Sequence, residues 1–300
     1  MRARHAAGRS RAGARRRGLR SIALAAALAG CVHKRDFRAP EGRLLDGTAH
    51  ALAQREVRLD VGVIGTGDPT FGANLGVSVG AHKHLQLGTN LAQDAFGLFN
   101  LRLKSNLIDR PKIGVALETG FFYTNPRLVW VLPADFREPL GDIHVFGAPL
   151  RVITTALAAD WLHLNVGLSY THVGVTGEVR FAGALADGSF GARSLDLSPV
   201  LQLLLGERVA VILGGEWALW SALYTNVEAE YPVTDGLRVG VRSAEWIPRG
   251  PLRGNSYYAS IEARFGKRTN ARASISYRLL GDHSPVELLP SLELYWRFGP

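Results

Sequence analysis

The sequence has a single thiol, Cys31, among its 300 residues. A lone cysteine excludes both a disulfide within the chain and a metal site built from several cysteines. Nucleophilic chemistry at the sulfur remains open to it. Leu28, Ala29 and Gly30 precede the cysteine. Small residues directly before the cysteine, here Ala29 and Gly30, would give a peptidase access to the backbone.

The segment before Cys31 has the composition of an export signal. Residues 1–20 form a basic arm with eight arginines, and residues 21–30, "SIALAAALAG", form a short apolar run. This run is too short for a helix that crosses a bilayer, which takes about 20 residues. A positive arm, a short apolar core and small residues before a cleavage point are typical of a secretory signal peptide.

The net charge of +9 arises from this N-terminal arm. Without residues 1–30 the chain carries 27 basic residues against 26 acidic ones, because the arm holds eight arginines and no acidic residue. Nucleic-acid binding needs a basic surface that matches the phosphate backbone. The charge distribution therefore argues against a nucleic-acid partner for the exported chain.

Leu28-Ala29-Gly30-Cys31 resembles the lipobox of bacterial lipoproteins at all four positions. The resemblance implies that the Cys31 sulfur is diacylglycerated, that the chain is cut before it, and that the new amine is acylated. Val32 follows, which in that family is compatible with export to the outer membrane. An ordinary signal peptide cut after Ala29 is the alternative. The expected division is a lipoprotein signal peptide over 1–30, a periplasmic linker over 31–56 and a β-barrel over 57–298.

From residue 55 onward, apolar and polar residues alternate. "WLHLNVGLSY" places Leu162, Leu164 and Val166 on one face and His163 and Asn165 on the other. A period of two over segments of about ten residues predicts β-strands. The pattern predicts about fourteen strands, with twelve as the alternative count: 57–64, 70–80, 84–91, 97–108, 112–122, 148–158, 161–172, 195–205, 208–219, 222–231, 236–246, 256–265, 270–280 and 290–298.

The predicted connections alternate in length. Those after even-numbered strands are short, as in "DRP" at 109–111 and "AD" at 159–160, whereas odd-numbered strands precede the long segments 123–147, 173–194, 247–255 and 281–289. A transmembrane barrel has this asymmetry, with tight periplasmic turns and longer outer loops. The sequence therefore predicts an all-β fold, an antiparallel transmembrane β-barrel.

Aromatic residues are expected near both ends of the strands, as in proteins whose rings lie at the two membrane interfaces. The expected outer belt comprises Phe121, Tyr123, Tyr170, Trp217, Trp220, Trp246, Tyr257 and Tyr277. The expected periplasmic belt comprises Trp161, Tyr231, Phe265, Trp296 and Phe298.

The final strand, "SLELYWRF", resembles the C-terminal strand of bacterial outer-membrane barrel proteins, which ends in an aromatic residue. The resemblance implies that the outer-membrane assembly machinery recognises it. Here Phe298 is followed by Gly299 and Pro300, a departure from that pattern. We expect outer-membrane lipid around the barrel and both ends of the mature chain in the periplasm.

Histidines supply the other candidates for chemistry. His172 continues a lipid-facing series, where some outer-membrane lipid hydrolases carry a His with a Ser two residues later, but Gly174 occupies that place here. His82 and His84 have a spacing at which two rings can share a metal, but no third ligand is near in sequence. We therefore predict no enzymatic activity, no cofactor and no bound metal.

The polar faces of the strands carry charges that we expect to line a lumen. An eight-stranded barrel is filled by its own side chains, whereas about sixteen strands leave an aqueous channel. The expected function is a passive channel or small-solute porin. A structural or assembly barrel without transport is one alternative, and a soluble periplasmic lipoprotein barrel, with its apolar face turned inward around an apolar ligand, is another. The expected lumen residues are Arg102, Lys104, Glu118, Arg238, Arg242, Glu262, Arg264, Arg272 and Arg278.

One long connection has an unusual composition for a solvated loop. The segment 123–147 contains the apolar run "LVWVL" at 128–132. Such side chains need cover, and either the mouth of the barrel or a partner at the cell surface offers it. We expect this loop to fold into the mouth and to constrict the lumen.

Overall fold

A computed structural model describes residues 44–62, 74–125, 128–129, 143–181, 184–234, 237–249, 254–266, 268–278 and 287–299, with only the backbone described at 178–181, 184–187, 227–234, 237–249, 278 and 287. The strands in this part of the chain are β1 (Val57–Gly62), β2 (Asn74–His82), β3 (Leu85–Asn90), β4 (Leu98–Asp109), β5 (Ile113–Thr124), β6 (His144–Ala159), β7 (Leu162–Phe181), β8 (Ala184–Leu205), β9 (Val209–Thr234), β10 (Leu237–Arg249), β11 (Ser256–Arg264), β12 (Thr269–Arg278) and β13 (Glu287–Phe298).

These strands form one closed, antiparallel barrel. Each strand pairs with the next one along the chain except β10 and β11, which both pair with β9, and the pairing of β1 with β13 closes the ring. The thirteen segments fill twelve strand positions, because β11 pairs with the first part of β9 and β10 with its second part. The predicted antiparallel β-barrel is confirmed, with the alternative count of twelve strands and not fourteen.

The outer face of the barrel is apolar and the inner face polar. Leu164, Val166 and Leu168 of β7 each expose more than 40% of their surface, whereas His163 and Asn165 between them are nearly buried. This is the parity expected from the sequence and the reverse of a soluble barrel around an apolar ligand. A lipid environment accounts for it, because lipid-facing residues alternate with lumen-facing ones in membrane barrels. No helix within the described residues is long and apolar enough to cross a bilayer.

The two ends of the barrel differ. The end that carries Val57 and Phe298 has tight turns at 83–84, 110–112, 160–161 and 206–208, and only a few residues separate β11 from β12 there. At the opposite end, called the extended end here, two strand pairs run on well beyond the about ten residues that cross a bilayer. β7 and β8 have 20 and 22 residues, and β9 has 26.

Two expectations about connections are wrong. Segment 173–194 is not a loop, because most of it belongs to β7 and β8, which pair from Leu162↔Leu203 to Phe181↔Ala184. Residues 208–219 and 222–231 belong to a single strand, β9. Tyr231 therefore lies near the extended end, apart from the other residues of the expected periplasmic belt. Trp161 and Phe265, 58% and 60% exposed, lie at the end with tight turns, as expected.

The connection between β3 and β4 contains one short helix, α1 (Leu91–Ala95), where no helix was expected. Asn90 caps its N-terminus, since the side-chain oxygen accepts hydrogen bonds from the N–H groups of Ala92 and Gln93. Gly97 follows with φ of 84°, a left-handed conformation that suits glycine and ends the helix.

Candidate functional site

The N-terminal segment from Leu44 to Glu56, called the plug here, lies inside the barrel at the end with tight turns. Leu44, Leu45, Ala49 and Leu52 expose 4% of their surface or less. The sequence placed residues 44–56 in a periplasmic linker, whereas the structure packs them against the inner wall. The plug turns at Gly47, whose φ of 69° favours glycine.

Side chains of the barrel wall form hydrogen bonds with backbone groups of the plug. The N–H of Ala49 donates to Thr155 Oγ1 at 2.7 Å, and the N–H of Leu52 donates to Gln86 Oε1 at 3.0 Å. Lys104 Nζ donates to the carbonyl of Leu45 at 3.0 Å. A buried backbone needs such partners, so the wall is built to receive a peptide segment at this level.

Asp46 is the plug's charged contact with the wall. Its carboxylate accepts Nη1 and Nη2 of Arg58, at 2.7 and 2.9 Å, and Nη2 of Arg272 at 2.7 Å. We call these three residues the clasp. Burial alone would raise the pKa of Asp46, but the two guanidinium groups outweigh it and hold the pKa well below its usual range. The plug is therefore anchored by an ionised carboxylate at neutral pH.

The two arginines of the clasp also have partners within the wall. Arg58 pairs with Asp60 of its own strand and with Glu293 of β13 at 3.0 Å. Its guanidinium lies 4.3 Å from the ring centroid of Tyr295. Arg272 pairs with Glu262 of β11 at 2.7 Å. Both arginines are therefore held in place by the barrel independently of Asp46.

Two series of alternating charges face each other across the lumen. Glu293, Arg272 and Glu262 stand opposite one another in register on β13, β12 and β11. On the other side of the twelve-stranded ring, Lys104, Glu118 and Arg151 do the same on β4, β5 and β6. The first series has a net charge of −1 and the second of +1. The plug spans the space between them, because Asp46 binds one side and Leu45 the other.

The plug also has an apolar contact and an attachment at the rim of the barrel. Leu44 packs with Leu204 of β8 and Ala210 of β9 in a small buried cluster. At the rim, Glu56 pairs with Arg297 of β13 at 2.7 Å and its carbonyl accepts the N–H of Gly80 at 2.8 Å. A Cβ at Gly80 would overlap the carbonyl of Ala53. Glycine is therefore required where the plug enters β1.

The structure brings several of the expected lumen residues together. Lys104, Glu262, Arg264 and Arg272 lie on the inner face and expose 7% or less, Glu118 is half-buried opposite Lys104, and Arg102 shares their face but is exposed. The side chains of Arg238, Arg242 and Arg278 lie outside the described part of the structure.

Sequence reasoning missed most of the clasp. Asp46 lies before the first strand and Arg58 is the second residue of that strand. Neither residue, nor Glu293, had an assigned role. The signal that could have found them is "LLDG" at 44–47, since two leucines and an acid are unusual for a solvated linker. A segment of that composition needs a surface to cover it.

The histidine candidates make packing contacts, whereas Cys31 and most of the long loop lie outside the described residues. His172 stacks on Tyr224 with ring centroids 5.9 Å apart, on the outer face of the sheet. The rings of His82 and His84 are 6.2 Å apart, and the described residues contain no group of three metal-ligating side chains. Cys31 lies outside the described residues, as do 126–127 and 130–142 of the loop that was expected to constrict the mouth.

Comparisons with known proteins give likenesses of fold only. A scan against protein-family models gives no match, and a search of curated proteins gives none. Among solved structures, the chain is similar to the monoaromatic hydrocarbon channel CymD, with 10% identity, 89% of this chain and 93% of that one covered, and a TM-score of 0.37.

Two further solved structures show the same level of likeness. The toluene transporter TbuX of Ralstonia pickettii has 12% identity, with 83% of this chain and 90% of that one covered and a TM-score of 0.37. The translocator domain of the autotransporter NalP from Neisseria meningitidis has 13% identity, with 81% and 86% covered and a TM-score of 0.31. At these identities and TM-scores, the likenesses say nothing about the solute or mechanism of this chain.

Proposed function

We propose that this protein is a passive outer-membrane channel for small solutes that is closed by its own N-terminal plug. The observation that carries the proposal is the way the lumen is filled. A structural barrel needs only wall side chains to fill its interior, as in eight-stranded barrels. Here a segment of chain outside the strands occupies a charged interior, and its contacts with the inner wall are made by side chains, so its departure would not break the pairing of the strands.

The interior has the polarity of a water-filled path. Nε of Arg151, Nδ2 of Asn165 and Oε1 of Gln202 are buried without a hydrogen-bond partner among the described residues. Buried polar atoms of this kind are normally met by ordered water. Water at these atoms would give the interior the polarity that a path for polar solutes requires.

The experiment that tests the channel is conductance in planar bilayers. Wild-type protein should give rare openings, because the clasp holds the plug. Asp46→Asn removes the charge of the plug and leaves the wall pairs intact, so we expect an increase in open probability of about thirtyfold, which corresponds to about 2 kcal/mol. Replacement of residues 44–52 by a Gly-Ser segment of equal length should give a permanently open pore.

Asp160→Asn is the matched control. It removes one carboxylate from the exposed turn between β6 and β7, at the same end of the barrel. Its conductance should equal that of the wild type. If the variant without residues 44–52 folds, shown by a shift in gel mobility before and after boiling, and yet passes no current, the channel proposal is wrong and a structural or assembly barrel is left.

The lipid anchor belongs to the same proposal. Twelve residues separate Cys31 from Leu44, where the plug begins, so acylation of Cys31 would fix the chain to the membrane close to the plug. Such an anchor supports a periplasmic position for both ends of the mature chain and for the plug. Mass spectrometry of the N-terminal peptide should show an acylated Cys31. An unmodified N-terminus at Gly30 would contradict the anchor and leave the channel proposal standing. The outer-membrane assembly machinery is the expected partner of the final strand.

A further inference from the structure

The clasp has the form of a ligand site whose occupant is part of the chain. The wall half is buried and fixed, since Arg58 and Arg272 are 5% and 6% exposed. The other half, the side chain of Asp46, keeps 39% of its surface exposed. The occupant is therefore less enclosed than the two arginines that hold it.

The chemistry that the wall recognises can be read from the plug. Two guanidinium groups converge on one carboxylate, which is the geometry that selects a planar anion over a neutral group. The neighbouring Leu44 fills an apolar position formed by Leu204 and Ala210. A carboxylate joined to an apolar body would make the same two kinds of contact.

The site keeps its shape when Asp46 leaves. Arg58 remains paired with Asp60 and Glu293, and Arg272 remains paired with Glu262 and lies 3.6 Å from Glu293. These wall pairs fix both guanidinium groups before any ligand arrives, and such preorganisation lowers the cost of binding. A free carboxylate would therefore find a formed site.

We propose that the solute which opens this channel is a monocarboxylate with an apolar body, which replaces Asp46 between Arg58 and Arg272 and so releases the plug. The inference rests on the proposed function. Because a carboxylate competes here with one attached to the same chain, its effect needs concentrations near the local concentration of a tethered group, about millimolar. The solute shifts the equilibrium toward the open state because only that state offers it the site.

The test uses hexanoate and its neutral isostere hexanamide on the full-length protein in planar bilayers, at constant salt and pH 7.5. Hexanoate at about 10 mM should raise the open probability of the wild type by about tenfold. Hexanamide at the same concentration should leave it unchanged, which controls for an effect of the apolar body on the bilayer. Asp160→Asn should respond as the wild type does.

Two variants separate this inference from the channel itself. Asp46→Asn is already open, so hexanoate should add less than about twofold to its open probability. Arg58→Lys keeps the charge but loses the planar fork, and the hexanoate response should fall. If the variant without residues 44–52 conducts but wild type does not respond to hexanoate, this inference is overturned and the channel stands. An equal response to hexanoate and hexanamide overturns it as well, whereas absence of current in every variant overturns the channel.

Discussion

The plug is held to the wall by two contacts of different kinds. The contact at Asp46 is ionic and directional, and it is partly exposed. The contact at Leu44 is apolar and buried, and it involves few residues. Apolar burial has no direction and accepts any group of suitable size. A charged clasp discriminates, since its energy depends on the position of two guanidinium groups. The difference indicates that the Leu44 contact sets how tightly the plug sits and the Asp46 contact sets what can release it.

Removal of an arginine from the clasp should have the largest effect. Arg272→Met leaves Glu262, which is fully buried, and Asp46 each without one cationic partner. Loss of one member of a buried ion pair costs about 3–5 kcal/mol. We expect a lower temperature for the gel-mobility transition of the folded barrel and an open channel. Arg272→Lys is the matched control. It keeps the charge, so the barrel should be nearly as stable as the wild type, but the selectivity of the channel for carboxylates should remain reduced. A barrel as stable as the wild type in Arg272→Met would show that the clasp has no role in holding the wall.

The apolar contact should give a smaller effect with no chemical selectivity. Leu44→Ala removes a side chain that is 2% exposed, and such truncations cost at least about 2 kcal/mol. Open probability should rise by about thirtyfold, and hexanoate should raise it further because Asp46 still occupies the clasp. Gln54→Ala, at an exposed position of the plug, is the control. If hexanoate had no further effect on Leu44→Ala, the two contacts would not be separable.

The dependence on pH should be the smallest effect over the neutral range. The depressed pKa of Asp46 means that its contribution is fully present above about pH 4, the value for an unfolded aspartate, and is lost as pH falls further. The difference in open probability between wild type and Asp46→Asn should therefore be constant from pH 7.5 to 5 and shrink below about pH 4. A difference that disappears already at pH 6 would show that Asp46 is not held ionised by the arginines.

The alternation of residues predicted the barrel and its parity because both depend on a local period of two. Strand number depends on less local features. In β9 a register shift opposite Leu195 and Asp196 changes the parity near Ala218–Trp220, so that one bent strand looks like two in the sequence. β10 and β11 both pair with β9, so two segments that count as two strands in the sequence occupy one strand position in the barrel.

The segment 173–194 contains glycines that belong to strands and not to a loop. Gly174 and Gly191 each provide room for a ring on the adjacent strand. A Cβ at Gly174 would overlap Phe146, and one at Gly191 would overlap Tyr224. A glycine that accommodates a cross-strand ring and a glycine that forms a turn are the same letter in a sequence. The charged residues of the wall were found from parity alone, but the plug was missed because no periodic pattern marks a segment that pairs with side chains.

The clasp joins the two ends of the chain. Arg58 lies at the start of the first strand and Glu293, its partner at 3.0 Å, lies 235 residues later in the last one. These residues meet only when β1 pairs with β13, the contact that brings together the most distant parts of the sequence and is expected to form late in folding. An unclosed barrel therefore has no complete seat for Asp46. The pore can be sealed only after the ring has been completed, so a tight seal reports that assembly has finished.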